Sequence, residues 1–322
     1  MRVLILGGGG MVGQKLAHRL AQTSEISGQA ISELYLHDII QPKDVGGSFA
    51  TTCLTGDLSK SAEADRLAAL KADVIFHLAA IVSGEAEKDF EKGWQTNGRG
   101  TWQLLEALAG IGDSYKPRLV FSSSIAVFGA PFPEVIPDDF FSTPMTSYGA
   151  QKAISELLIT DYSRKGLIDG ISIRLPTICV RPGKPNLAAS SFFSGIIREP
   201  LNGEEAILPV PDTVRHWFAS PRSAAGFLLH AASMDLTLLN ERRALSMPGV
   251  SCTVAEQIEV LREIAGEDAV RLIRPEPNED IMAIVKNWPR NFDTERANAL
   301  GFNAESDFRE IVKIYIDEDL NR

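Results

Sequence analysis

The chain has 322 residues, with 42 acidic side chains against 32 basic ones and a formal net charge of −10, which leaves no basic stripe for nucleic acid. Its 44% apolar and 23% charged residues are ordinary for a globular protein, and its length implies two domains or one large α/β unit. It has no apolar run of the ~18 residues that a membrane span needs, and its N-terminus lacks the basic, apolar and cleavage regions of a secretory signal.

The first half alternates short apolar runs with helix-period segments. Val3-Leu4-Ile5-Leu6 predicts a buried strand and Met11 to Ala21 a helix. Between them, Gly7, Gly10 and Gly13 fit G-x-x-G-x-x-G, while Gly8, Gly10 and Gly13 fit G-x-G-x-x-G, so the subtype stays open. Glycines there allow a tight turn and a close backbone approach. The helix start at Met11 and Val12 then offers free N–H groups to a pyrophosphate. Leu34-Tyr35-Leu36 predicts a second strand that ends in His37-Asp38. A carboxylate at Asp38 accepts from an adenosine ribose and repels a 2′-phosphate, which favours NAD over NADP. No arginine immediately follows it. Asp57-Leu58 reads equally as an adenine flank or a helix cap.

Further strands are expected at Val74-Ile75-Phe76, Leu119-Val120-Phe121 and Ile171-Ser172-Ile173. Helices are expected at about Ala62 to Leu70, Phe90 to Leu108 and Ser147 to Arg164. This rhythm predicts an α/β fold with a doubly wound parallel sheet of the Rossmann type. Beyond Arg174 the rhythm fails. Prolines make 176–212 loop-rich around a short helix at Ser190 to Ile197, and 239–322 is irregular too. Between them, Trp217-Phe218 and Ala224 to Met234 predict one more strand and helix returning to the sheet. The expected division is a nucleotide-binding domain of 1–175 plus about 213–238, with a smaller, discontinuous substrate-binding portion of 176–212 plus 239–322. Cys53, Cys179 and Cys252 are scattered and form no C-x-x-C. They predict a reducing cytoplasm, with neither a disulfide framework nor a metal site.

Tyr148-Gly149-Ala150-Gln151-Lys152 sets a phenol and an ammonium on one helix face. A nearby cation stabilises phenolate and makes it a usable acid or base. Ser122-Ser123-Ser124 ends the strand at Leu119–Phe121, where open α/β sheets hold their ligands.

With these motifs in hand, the chain resembles the extended short-chain dehydrogenase/reductases, the NAD-dependent epimerase/dehydratase group. The resemblance rests on Gly7-x-x-Gly10-x-x-Gly13, Asp57-Leu58, His77-Leu78-Ala79-Ala80, Asn97 with Gly100-Thr101, Ser122 to Gly129, and Tyr148 to Lys152. It implies Tyr148 as acid/base, Lys152 lowering its pKa and holding the nicotinamide ribose, and Ser124 binding the reacting hydroxyl. It also implies that Ser122, Leu78, Ala79, Ala80, Leu175 and Thr177 lie along the cofactor and that Asn97 supports it. Phe128 stands where Val-Tyr-Gly is usual. Arg174 to Thr177 and Arg215 to Phe218 depart from the segments that nucleotide-sugar enzymes often carry. Arg174 to Ser194 and Trp288 to Asp293 are instead similar to the D-erythronate dehydrogenase branch, which oxidises C2 of a four-carbon sugar acid with NAD.

Ser83, expected in the loop after His77-Leu78-Ala79-Ala80, is a candidate for a substrate hydroxyl. Arg181, Lys184, Arg215 and His216 form a cationic group suited to a small anion, with Arg181 and Arg215 the candidate contacts. His77 reads as structural, and His230 and Met234 read as core. The expected activity is oxidation of a small sugar acid at C2, D-erythronate foremost. A nucleotide-sugar 4-epimerase or dehydratase with tightly bound NAD, or a non-catalytic NAD-sensing regulator, are the rivals. No nucleic-acid or membrane partner is expected, and the family's habit predicts a homodimer through helices 90–108 and 147–164.

Overall fold

Along the first strand, β1 (Arg2–Leu6), Val3 and Ile5 point to one face and Leu4 and Leu6 to the other, and all four are fully buried. A strand covered on both sides belongs to a parallel sheet clad in helices. In the computed structural model, which describes residues 1–183 and 189–320, seven strands form that sheet. Lys184 lies outside the described residues. The strands are β1, β2 (Glu33–Asp38), β3 (Ala50–Thr55), β4 (Val74–His77), β5 (Arg118–Ser124), β6 (Asp169–Leu175) and β7 (Ala244–Ser246). Their spatial order is β3-β2-β1-β4-β5-β6-β7, and every pairing is parallel.

Helix α1 (Met11–Thr23) brings Leu16, Ala17 and Leu20 onto the Val3/Ile5 face. On the Leu4/Leu6 face lie α2 (Ser61–Ala68), α3 (Gly100–Gly110) and α4 (Ser147–Arg164), through Leu67, Leu104, Leu108 and Ile159. Each fully buried Leu or Ile contributes about 1.5–3 kcal/mol. The doubly wound reading therefore stands.

Four local readings change. Strand β3 was not among the apolar runs, because this edge strand is Ala-Thr-Thr-Cys-Leu-Thr and only half-buried. The expected helix from Phe90 to Leu108 is interrupted by a π-helical stretch, Trp94–Arg99. There the Asn97 carbonyl accepts from Thr101 Oγ1 at 2.7 Å, a bond to the i−4 carbonyl, and from Ser155 Oγ at 3.3 Å. Ser83, expected in a loop, opens the short helix Ser83–Lys88.

Lastly, Trp217-Phe218 does not return to the main sheet. Its strand, Arg215–Ala219, lies between Thr177–Ile178 and Val250–Thr253 in a separate three-stranded sheet. The main sheet is completed instead by β7, too short to signal itself. The helix Pro221–Ser233 does dock on the main sheet, through Ala224, Phe227, Leu228 and Ala231. A second core joins Cys179, Phe193, Ile196, Phe218, Leu261 and Ile311, whereas Ala297 and Phe302 pack with the first.

Candidate active site

The glycine turn is built by close contacts that only glycine tolerates. Gly7 has φ +86°, and a Cβ there would stand 2.7 Å from the Ala79 nitrogen. A Cβ on Gly13 would meet the Gly7 carbonyl oxygen at 2.2 Å, so β1, α1 and the start of the β4 loop are pressed together. The N–H groups of Gly7 and Gly8 donate to the His37 carbonyl at 2.8 and 2.9 Å. Asp38 closes the turn by accepting from Gly9 N at 2.9 Å and from Ile39 N at 2.7 Å. The first-turn N–H groups of α1, from Met11 and Val12 onward, have no helical acceptor and present a positive end.

Beside this turn lies a cavity of about 550 Å³ lined by Gly7, Gly10, Asp38, Asp57, Leu58 and Ala79, among others. Leu78 and Ala80 also line a second cavity, of about 540 Å³. Asp57 accepts from Ser59 N at 2.9 Å in the turn ahead of α2, whose N-cap is Lys60, and it lines the first cavity. A cradle that a Cβ would fill, a helix start and two cavities meeting at Leu78 fit an extended dinucleotide.

The second cavity gathers the Ser, Tyr and Lys side chains. Ser122, Ser123 and Ser124 line it from the carboxyl end of β5, and Tyr148 and Lys152 from the first turns of α4. Helix α4 starts at a Thr146 cap that accepts from Gly149 N at 3.1 Å. A Cβ on Gly149 would lie 2.2 Å from the Ala126 carbonyl oxygen, so the glycine after Tyr148 lets the helix close on the β5 loop. Lys152 is buried and donates from Nζ to the Ser122 carbonyl at 2.7 Å. Its ammonium lies 4.5 Å from the Phe121 ring centre and 5.6 Å from that of Tyr148.

Burial pushes Lys152 down to about 7, against the pull of Glu156. Glu156 is held by Ser123 Oγ at 2.5 Å and by Arg174 NH2 at 2.8 Å. Burial pushes the Tyr148 phenol up to about 12, opposed by the Arg181 charge and a hydrogen bond with Ser124. Arg181 is thus a second cation acting on the phenol, beside the Lys152 ammonium 5.6 Å from its ring centre.

The other candidates separate. Ser83, Leu175, Thr177 and Arg181 all line the second cavity. Asn97 stands behind it, bonded to Ile81 N at 2.8 Å, Ile81 O at 3.0 Å and Gln151 Oε1 at 2.8 Å. Arg215 is not brought to the cavity. It donates to the Ser251 carbonyl at 3.1 Å and pairs with Glu256 at 3.2 Å. Neighbours on a strand face opposite ways, and His216 takes the inner face instead.

His216 is buried and pushed down to about 4 by that burial, despite its bond to Pro289. Its Nδ1 lies 2.9 Å from the Pro289 carbonyl and its Nε2 2.7 Å from Thr177 Oγ1. His77 is structural, as expected: burial, with Lys152 and His37 adding to it, depresses it to about 3, and its Nε2 lies 2.9 Å from Thr101 Oγ1. Sequence reasoning missed the roof, which Ile284, Asn287, Trp288 and Pro289 supply. Its signal was present in the stretch from Trp288 to Asp293, singled out without a place at the site. Among the described residues, no group of His, Cys, Asp and Glu could hold a metal, and no helix is long and apolar enough to cross a membrane.

The chain is 42% identical over 320 residues to the D-erythronate dehydrogenase of Haemophilus influenzae, a match covering 99% of this chain and 100% of that protein. It is 43% identical over 322 residues to that of Cupriavidus necator, covering 99% and 98% respectively. Among solved structures it is similar to one described as the nucleoside-diphosphate-sugar epimerase from Agrobacterium tumefaciens. That likeness has 56% identity and a TM-score of 0.97, over 99% of this chain and 94% of that one. The NAD dependent epimerase/dehydratase family matches residues 3–231. The match runs from β1 through the helix Pro221–Ser233 and takes in the glycine turn and the Ser124, Tyr148 and Lys152 group alike; the chain belongs to the NAD dependent epimerase/dehydratase family.

Proposed function

We propose that this protein is an NAD-dependent dehydrogenase that oxidises the C2 hydroxyl of a small sugar acid, D-erythronate, to the 2-oxo acid. The observation that carries this reading is that Ser124, Tyr148 and Arg181 line one cavity beside a dinucleotide cradle. The two full-length relatives named D-erythronate dehydrogenase support it. Ser124 holds the substrate hydroxyl, Tyr148 as phenolate takes its proton, and Arg181 faces the carboxylate. Lys152, anchored on Ser122, braces α4 against β5 and binds the nucleotide ribose. NAD, when bound, supplies the acceptor for the C2 hydride. The protein's share is alignment and exclusion of water under the Trp288 roof.

Asp38 at the cradle favours NAD over NADP, through acceptance of ribose hydroxyls and repulsion of a 2′-phosphate. A homodimer is supported by Trp102, Ile154 and Leu157, exposed on α3 and α4.

The test is NADH formation from D-erythronate and added NAD. Stoichiometric NADH and 2-oxo acid are expected, and no NADH from any four-carbon sugar acid overturns the reading. A second reading, a nucleoside-diphosphate-sugar epimerase, is favoured by the name of the 56% identical structure. Such an enzyme interconverts a UDP-sugar with no net NADH, so the same assay with UDP-sugars and product chromatography separates the two.

A further inference from the structure

We propose that Arg181 is the reader of the substrate carboxylate and that, through it, the bound carboxylate sets how tightly Tyr148 holds its proton. The inference rests on the sugar-acid reading of the cavity and adds to it a coupling between substrate charge and the base.

Arg181 is fixed by neutral partners. Its Nε donates to the Ile178 carbonyl at 2.9 Å and its NH2 to Ser190 Oγ at 3.3 Å. Its main-chain N–H donates to Ser194 Oγ at 3.0 Å, and Arg198 grips its carbonyl at 2.7 Å. Among the described residues no carboxylate pairs with it, whereas its neighbours Arg174 and Arg198 are satisfied by Glu156 and Glu199. Arg198 instead adds like charge behind it. A largely desolvated guanidinium without a counter-charge is costly, and its planar fork matches a carboxylate. An anion on the cavity side completes the site.

Arg181 and Tyr148 face the same cavity, and the guanidinium charge eases ionisation of the phenol. In a 2-hydroxy acid the carboxylate carbon is bonded directly to the carbon being oxidised, so one substrate meets both residues at once. Pairing Arg181 with a carboxylate cancels part of the field at the phenol, and Tyr148 then binds its proton more tightly. Linkage makes the effect reciprocal: ionising Tyr148 weakens carboxylate binding.

The pH dependence of kcat/KM reports the enzyme before substrate binds and that of kcat the complex. With D-erythronate, the rise of kcat with pH is expected to lie at higher pH than the rise of kcat/KM. With the neutral D-erythronamide the two coincide. In Arg181→Gln, KM for D-erythronate rises about 10- to 100-fold, and the kcat/KM rise moves to higher pH. Arg181→Lys keeps the charge and hence the wild-type pH position, while losing part of the affinity because an ammonium cannot bind bidentately.

A readout without turnover is phenolate absorbance of the nucleotide-free protein, taken as the difference from Tyr148→Phe. In Arg181→Gln it moves to higher pH. A folded Arg181→Gln enzyme with wild-type KM and an unmoved pH profile overturns the inference while leaving the dehydrogenase reading intact. Absence of NADH formation from any sugar acid overturns that reading, and the phenolate titration still decides whether Arg181 acts on Tyr148.

Discussion

The two cavities that meet at Leu78 are made of different material. On the nucleotide side the turn itself is held mainly by backbone: the Gly7–Gly13 stretch, the open N–H groups of α1 and the ends of β1, β2 and β4, with the Asp38 side chain closing it. On the chemical side they are side chains drawn from β5, α4, the Thr177–Arg181 stretch, the inner face of Arg215–Ala219 and the segment 283–289. A backbone site is fixed by where glycine is required. A side-chain site is fixed by which distant segments the topology brings together. Substitutions on the two sides should therefore fail in different ways.

The largest effect is expected from Tyr148→Phe, which removes the proposed base and leaves the cradle untouched. The kcat should fall roughly 10²- to 10⁴-fold with NAD affinity unchanged in a fluorescence titration, and a parallel loss of affinity would dissolve the distinction. Next comes Gly13→Ala. Its Cβ meets the Gly7 carbonyl oxygen at 2.2 Å, so the turn must open. Calorimetric NAD affinity should fall at least tenfold, and denaturant unfolding should lose about 1–3 kcal/mol.

The same contrast sets what was legible in the sequence. The cradle was readable because Gly7, Gly10 and Gly13 sit within one strand–helix junction, where spacing alone dictates geometry. Ser124, Tyr148 and Lys152 were readable through motif order and the i,i+4 face. Strand β7 was hidden because three residues carry no period, and it pairs beside β6 only by tertiary placement. Arg215 and His216 stood side by side in the sequence with nothing to say which faced inward. That choice was made by pairing of their strand with Thr177–Ile178 and Val250–Thr253. The roof at Trp288 required a segment more than a hundred residues beyond α4 to fold back over it.

A smaller effect tests the burial of Lys152. The unfolded chain keeps this proton up to about pH 10.4, whereas the folded site releases it near 7. Between those values the unfolded state binds more protons, so this group makes stability rise with pH. Thermal denaturation of the nucleotide-free protein should show that rise between neutral and alkaline pH, and Lys152→Met should flatten it. Equal slopes would mean the ammonium is not desolvated.

The smallest effect belongs to Arg215→Ala. It removes a partly exposed pair with Glu256 worth about 0–1 kcal/mol, and steady-state KM for the sugar acid should stay at the wild-type value. A marked rise in KM would put Arg215 back at the substrate.

The bridge from Pro289 through His216 to Thr177 has a direction. A proline carbonyl can only accept, so His216 must carry its hydrogen on Nδ1, and burial keeps the ring from taking a second. Nε2 is then a bare lone pair, and Thr177 spends its one hydrogen on it. The threonine oxygen thus turns toward the cavity with electron pairs and nothing to give, so whatever docks against it has to bring a hydrogen of its own.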